Sequence, residues 1–369
     1  MGAVACGLRW LVAVCLLVEA AACWAGLPDG YPRDYGAVMA AARQEGKVVV
    51  YSTTDLSVMA AVIRDFEQCF PGVKVEYHDL NSEELYYRFV SETAAQLPSA
   101  DVLWSSAMDL QMKLANDDYA ARYVSPELGA LPRWAVWRST AYGTTFEPVV
   151  IVYNKRHLTE ADVPHTHSEF ARLLTVRADV FHGNVTTYSI ERSALGRMLA
   201  TQDSRVQPGF WDLVRSMGHS GVKLESSTSE MVQRIASGRY FIGYNLIGSY
   251  AMSRARNDPA IGVVLPTDYT LVMSRIAILS RRAAHPNAGK LWLDYLLSRR
   301  GQGVMASKSE LFPVRADVPG EFGAASLRAR YGDRLKPIEV AVPLVVFLDR
   351  AKKREFLKRW ERETATLNP

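Results

Sequence analysis

The chain has 369 residues, 49% of them hydrophobic and 22% charged, with a formal net charge of +4. So mild a basic excess makes no case for nucleic acid, which calls for basic residues gathered on one face; it does suit the capture of an anion. The length exceeds one comfortable core and predicts two lobes.

In chain order, Arg9, the apolar run from Trp10 to Val18, and Ala20, Ala21, Ala22 and Ala25 before Gly26 have the charged, apolar and small-residue order of a secretory leader. The run is too short to span a bilayer as a stable helix, and polar Leu27-Pro28-Asp29-Gly30 follows, so residues 1–25 are expected to be cleaved on export. Cys23 also allows a lipoprotein signal, against which stand Ala20, where a larger aliphatic residue is usual, and the nearby Glu19. Cys6, Cys15 and Cys23 lie in or beside the leader, so the exported chain, with Cys69, is expected to hold together without an internal disulfide.

Short apolar runs then alternate with amphipathic stretches, the pattern of an α/β protein. Residues 47–51 predict a strand, Ser52-Thr53-Thr54-Asp55 a turn and cap, and Val58, Val62, Ile63 and Phe66 a helix. Pro71-Gly72 breaks the chain before a second strand at 73–77; Ser82 is read as the cap of a helix carrying Leu85, Phe89 and Val90, and 101–104 as a third strand. The β-branched run from Pro148 to Tyr153 is read as the crossover into the second lobe. There, Thr166 with Glu169 opens a helix, followed by a strand at 184–188, a helix from Ser193, a strand at 222–224, a helix over 228–237 and a strand at 240–244. The chain is expected to return at 262–266, to form one strand over 273–280, and then a helix from Pro286. The expected division is residues 26–148 for the first lobe with 266–318 returning to it, 149–265 for the second, and a helical tail at 319–369 whose lobe the sequence leaves open.

Several strand-to-helix turns end in hydroxyl or amide residues: Ser52-Thr53, Ser105-Ser106, Arg192-Ser193, Ser226-Ser227-Thr228 and Tyr244-Asn245. Ligands of an open α/β sheet bind outside the carboxyl ends of strands, where helix N-termini offer N–H groups and partial positive charge. Any one of these turns is equally an ordinary cap, and Ser227 with Glu230 is a capping box; the functional reading rests on the set. Asp109 and Glu225 are candidate acceptors for a ligand's hydroxyls, while Tyr153, Tyr188, Tyr244 and Tyr250 are open between cleft and core. An enzyme is not indicated: none of the seven His stands in a His-Glu-x-x-His pattern, and the chain has no Gly-x-Ser-x-Gly elbow or phosphate loop.

Tyr51-Ser52-Thr53, Asp101 to Asp109, Tyr142 to Lys155, Thr187 to Gly196, Gly243 to Ala251 and His285 to Gln302, in that order, resemble the ferric-iron, phosphoglycerate and hexose-phosphate branch of the bacterial extracellular solute-binding proteins. The resemblance runs from about residue 40 to the C-terminus. It implies a type II periplasmic binding fold, with two α/β lobes, two hinge crossings and a ligand cleft between them. It also implies a monomeric, non-enzymatic periplasmic protein without cofactor, delivering a small anionic solute to an inner-membrane ABC permease or reporting it to a sensor kinase.

Iron-binding relatives hold the metal with adjacent tyrosines just after an Asn. Here Asn245 is followed by Leu246-Ile247-Gly248, which takes away two phenolate ligands that a hard ferric ion needs and leaves iron as the alternative. The positions where relatives grip an anion correspond to Ser193, Ser226, Ser227, Thr228 and Asn245, with Ala194 where Gly is common; Arg192, near a helix start, is open between pairing with the phosphate and pointing to solvent. The implied ligand is an organophosphate or phosphonate. Its anionic end would lie on those turns and its organic end on Ser52, Thr53, Ser106 and Asp109.

Overall fold

The computed structural model describes residues 30–309 and 311–365; the leader and Cys23 lie outside them. The first lobe opens with α1 (Tyr35–Glu45), β1 (Lys47–Ser52), α2 (Leu56–Cys69), β2 (Lys74–Asp79), α3 (Ser82–Ala94), β3 (Val102–Ser105), α4 (Met108–Asn116), β4 (Val136–Trp137) and β5 (Ala141–Gly143). The second follows with β6 (Glu147–Asn154), α5 (His167–Val176), β7 (Val185–Tyr188), α6 (Ala194–Val206), α7 (Phe210–His219), β8 (Lys223–Glu225), α8 (Thr228–Ala236), β9 (Ile242–Ile247), α9 (Gly248–Asn257), β10 (Ile261–Val264) and β11 (Thr270–Met273). The chain crosses back as β12 (Ile276–Leu279), α10 (Pro286–Leu297) and α11 (Arg299–Lys308), then ends through α12 (Ala324–Tyr331), β13 (Leu335–Pro337) and α13 (Arg350–Thr364).

The strands form two sheets, one ordered β2-β1-β3-β12-β5-β4 and the other β13-β11-β6-β9-β7-β8, with β10 added against β6. β1 lies parallel between β2 and β3, as strand–helix–strand repeats require. One face of α2 carries buried Met59, Val62 and Phe66, and Phe66 meets Trp292 of α10 edge-on at 4.9 Å in the first lobe's core. The second core gathers Ile151, Phe170, Leu213 and Ile242. The basic final helix α13 buries Phe356 and Trp360 there, with Phe356 5.1 Å from Trp211 of α7, which places its apolar stripe on the second lobe.

Three readings of the sequence are corrected. Pro148 to Tyr153 is not the crossover but the middle of β6, hydrogen-bonded to β9, β10 and β11 inside the second sheet; the crossing is the short segment between Gly143 and Glu147. The single strand expected over residues 273–280 is two strands in different sheets, broken at Ser274-Arg275, where the chain recrosses. The cap of α3 is Asn81, whose Oδ1 accepts the Glu84 N–H at 2.9 Å, rather than Ser82.

At the hinge the two crossings lie against each other. Thr144 N–H donates to the Arg275 carbonyl (2.9 Å), Arg275 N–H to Thr145 Oγ1 (2.8 Å) and Thr145 N–H to Ser274 Oγ (3.1 Å). A Cβ added at Gly143 would sit 2.7 Å from Ser274 Oγ, so this position requires glycine for the close approach. A third passage, from α11 towards β13, joins them where Phe146 N–H donates to the Phe312 carbonyl at 2.8 Å.

Candidate functional site

Residues at the ends of five strands, Thr53, Asp79, Ser106, Tyr188 and Ser226, line one cavity of about 460 Å³ between the lobes. The starts of four helices border it as well: Ser82 opens α3, Ser193 caps α6, Ser227 caps α8 and Tyr250 lies in the first turn of α9. Ser193 Oγ accepts the Gly196 N–H (3.1 Å) and Ser227 Oγ the Glu230 N–H (3.5 Å). Each cap satisfies one of the four unpaired N–H groups of a helix start and leaves others, with the positive end of the helix dipole, directed at whatever lies beyond the terminus. Thr53 Oγ1 accepts the Ser106 N–H at 3.0 Å, and the Tyr188 and Thr228 hydroxyls bond to each other.

Of the residues singled out in the sequence, Thr53, Ser106, Arg192, Ser193, Ser226, Ser227 and Thr228 are brought together on this cavity. Arg192 is exposed at its rim and tied back, with Nη2 donating to the Leu224 carbonyl at 3.0 Å. The other four lie outside the lining. Ser52 is fully buried and its Oγ accepts the Thr54 N–H at 3.1 Å. Ala194 packs against Ala107 and Leu110 where α4 meets α6. Asp109 is buried at that same seam, accepts the Leu110 N–H at 2.9 Å, and has its pKa pushed up to about 6 by burial, against the pull of Arg197.

Asn245 is turned away by a β-bulge. Val150 pairs with Leu246 and Val152 with Gly243, so Tyr244 and Asn245 together oppose the single residue Ile151, and Asn245 takes a φ of +64°. Its Nδ2 reaches Asp203 Oδ2 at 2.6 Å, where Tyr244 and Tyr269 also donate to that buried carboxylate. Glu225 is likewise occupied, by Arg234 and Tyr240. Of the four tyrosines left open, Tyr188 and Tyr250 line the cavity while Tyr153 and Tyr244 belong to the core.

Asp55, Asp79, Asn81, Ser229 and Arg275 also line the cavity and were not singled out. Asp79, the last residue of β2, leads through Leu80 to Asn81 as another polar strand-to-helix turn, which is the signal that would have found two of them. Arg275 sits in an apolar run and gave none. It is 1% exposed, with Nε 2.9 Å from Glu147 Oε1 and Nη1 2.8 Å from Thr54 Oγ1. Burial disfavours the charged guanidinium, but the Glu147 carboxylate outweighs it and holds the Arg275 pKa above its ordinary value. Glu147 also accepts from Thr145 and Ser249, so each of its carboxylate oxygens takes two donors.

The lobes touch on both flanks of the cavity. Ser229 Oγ of α8 donates to Asp55 Oδ2 at 3.1 Å, and Arg197 Nη2 of α6 to Glu83 Oε1 of α3 at 2.7 Å. The arrangement is a clamp, with a polar cavity held between two lobes that share a narrow hinge and meet through a few polar contacts. Among the described residues, no group of three or more His, Cys, Asp or Glu side chains is placed to hold a metal ion, and no helix is long and apolar enough to cross a membrane.

Residues 61–326 match the family described as bacterial extracellular solute-binding protein. A substrate-binding protein of the ABC transporter from Agrobacterium tumefaciens is 40% identical, with a TM-score of 0.82 over 86% of this chain and 94% of that one. The periplasmic binding protein AfuA from Actinobacillus pleuropneumoniae, solved with exogenous fructose-6-phosphate bound, shares the fold at 14% identity (TM-score 0.68, 86% of this chain and 98% of that one). The apo ferric ion-binding protein A of Pasteurella haemolytica does so at 16% identity (TM-score 0.69, 88% and 100%). No curated protein matches the sequence at a significant level.

Proposed function

The chain belongs to the bacterial extracellular solute-binding proteins, and from that premise we propose that it is the receptor of an ABC transporter for a small organic anion, an organophosphate or phosphonate, which it captures outside the inner membrane and delivers to a permease. The observation that carries this reading is the convergence of helix N-termini and hydroxyl side chains on one interlobe cavity. The starts of α6 and α8, with Ser193, Ser226, Ser227 and Thr228, offer the second lobe's grip for the anionic group. Thr53 and Ser106 of the first lobe face the rest of the solute. Asn245 acts behind the wall, fixing Asp203, rather than on the ligand.

The cavity volume supports an organic ligand. About 460 Å³ falls in the range of roughly 300–1,000 Å³ typical of small-molecule pockets, and a bare ion would leave most of it to water. The fructose-6-phosphate bound to AfuA and the ferric ion named for the Pasteurella protein are two ligand classes found among the fold's relatives. The Asn245-Leu246-Ile247 sequence, lacking the tyrosine pair, favours the first.

Mechanistically, a ligand held by both lobes stabilises the closed clamp by contacts that the open form lacks. Calorimetric titration with sugar phosphates, phosphoglycerates and phosphonates tests the reading. One of them should bind, and Ser193→Ala should weaken it by about ten- to a hundredfold, as expected for a hydrogen bond to a charged group. Unchanged affinity in Ser193→Ala would contradict the placement of the anion.

A further inference from the structure

The lining of the cavity contains four charged side chains, and they are not equivalent. Arg275 is charge-paired with Glu147 and also bonds to Thr54, and Arg192 is tied back to the Leu224 carbonyl. The other two are carboxylates of the first lobe, Asp55 and Asp79. Asp55 accepts from Ser229 Oγ at 3.1 Å, and Asp79 accepts the Leu56 N–H at 3.0 Å. Neither stands in an ion pair with a cation among the described residues. Asp79 is exposed at the edge of the cavity, and its partial desolvation, with Asp55 as neighbour, holds the carboxyl above its ordinary range.

We infer that the solute is bipolar, carrying a protonated amine that sits against Asp55 and Asp79 of the first lobe while its phosphate or phosphonate occupies the helix starts of the second. This rests on the anion-receptor reading above and narrows it. A purely anionic solute would bring its charge into the cavity beside two carboxylates that have no ion-pair partner, where like charges repel. Hydroxyl groups would satisfy oxygen lone pairs but leave the excess charge in place. An ammonium group removes that penalty by bringing the opposite charge to the carboxylates. Because Asp55 also meets Ser229 of the second lobe, the cationic pole lies at a contact made when the clamp is shut. An amine there would favour closure as well as recognition.

The test compares three probes of matched size: aminoethyl phosphate, hydroxyethyl phosphate and ethyl phosphate. The amine probe should bind at least about tenfold more tightly than either of the others, the scale of one charge-assisted hydrogen bond. Asp79→Asn and Asp55→Asn, both isosteric, should each erase that preference by weakening the amine probe and tightening ethyl phosphate, since amides keep the shape and lose the charge that repels a phosphate. Ser193→Ala should weaken all three alike. Equal binding of the three probes, or tightest binding of the hydroxyl probe, overturns the cationic pole and leaves the anion receptor standing. Failure of all three to bind overturns both. The comparison of probes on the parent protein needs no variant to fold, and a melting curve for each variant separates lost charge recognition from lost structure.

Discussion

The two places where the lobes are joined through polar groups are built on opposite plans. At the hinge, Arg275 and Glu147 are almost fully buried, and Thr54, Thr145 and Ser249 supply hydrogen bonds to the pair. In the cavity, Ser193 and Ser227 hold helix starts, and Asp55 and Asp79 each accept a neutral donor and face no cation. Polar residues at the hinge are saturated by one another and serve the fold. In the cavity, Ser193, Ser227, Asp55 and Asp79 are each positioned by a single side-chain bond and retain capacity for something else. Unsatisfied capacity, rather than residue type, separates the ligand-facing groups from the structural ones.

Breaking the hinge should cost the most. Glu147→Ala leaves the buried Arg275 guanidinium without its counter-charge and is expected to destabilise the protein by about 3–5 kcal/mol in chemical denaturation. A loss below about 1 kcal/mol would show that the hinge is wet and that its saturation is not what holds it.

Asp109 sharpens the contrast, because it is buried at the α4–α6 seam with one backbone donor and is neither saturated nor on the cavity. Its folded pKa, raised to about 6 by burial, lies above the unfolded carboxylate value of about 3.9. Folding therefore favours the proton: the stability this provides is full below about pH 4 and is lost as pH rises through about 6. Stability measured at pH 4 and pH 7 should show Asp109→Asn gaining on the parent at the higher pH by at most roughly 3 kcal/mol. An equal difference at both values would place Asp109 in contact with water.

Ser229→Ala removes a contact between the lobes and leaves the fold of each intact. The expected effect is the smallest, about 0.5–1.5 kcal/mol in ligand affinity with an unchanged melting temperature of the free protein. Loss of free-protein stability instead would mean that the contact belongs to the fold and not to closure.

Much of the architecture could be read in the sequence because strand ends carry two signals at once, a β-branched run and then a capping residue. Val48 to Val50 followed by Ser52-Thr53, or Val185 to Tyr188 leading to Ser193, located both the sheets and part of the cavity. Sheet membership was not legible in the same way. Residues 273–280 read as one strand although the chain changes sheets at the polar pair Ser274-Arg275, since both flanking strands are buried and hydropathy does not register which sheet a strand joins.

The site failed where backbone irregularity intervened. Asn245 reads as a strand-end amide, but a bulge rotates it onto Asp203. Ser52 adjoins Thr53 and Asp109 follows Ser106 by one helical turn, and each faces the interior instead. Arg275 reads as a break in an apolar run, and only the fold shows Glu147, far away in sequence, closing on it. The hydroxyl turns were visible one by one; the carboxylates opposite them gained meaning only once both lobes were seen to share a wall.

The most direct test of the central claim, that the interlobe cavity takes a small organic anion, is the thermal stability of the exported protein with aminoalkyl phosphates, sugar phosphates, phosphoglycerates and phosphonates, against ferric ion with carbonate. A true ligand at about a hundred times its dissociation constant should add roughly 2.7 kcal/mol to stability. Stabilisation by an organophosphate or phosphonate, with none from ferric ion, is the expected result. Stabilisation by ferric ion alone would contradict the claim and assign the cavity's tyrosines and carboxylates to metal binding.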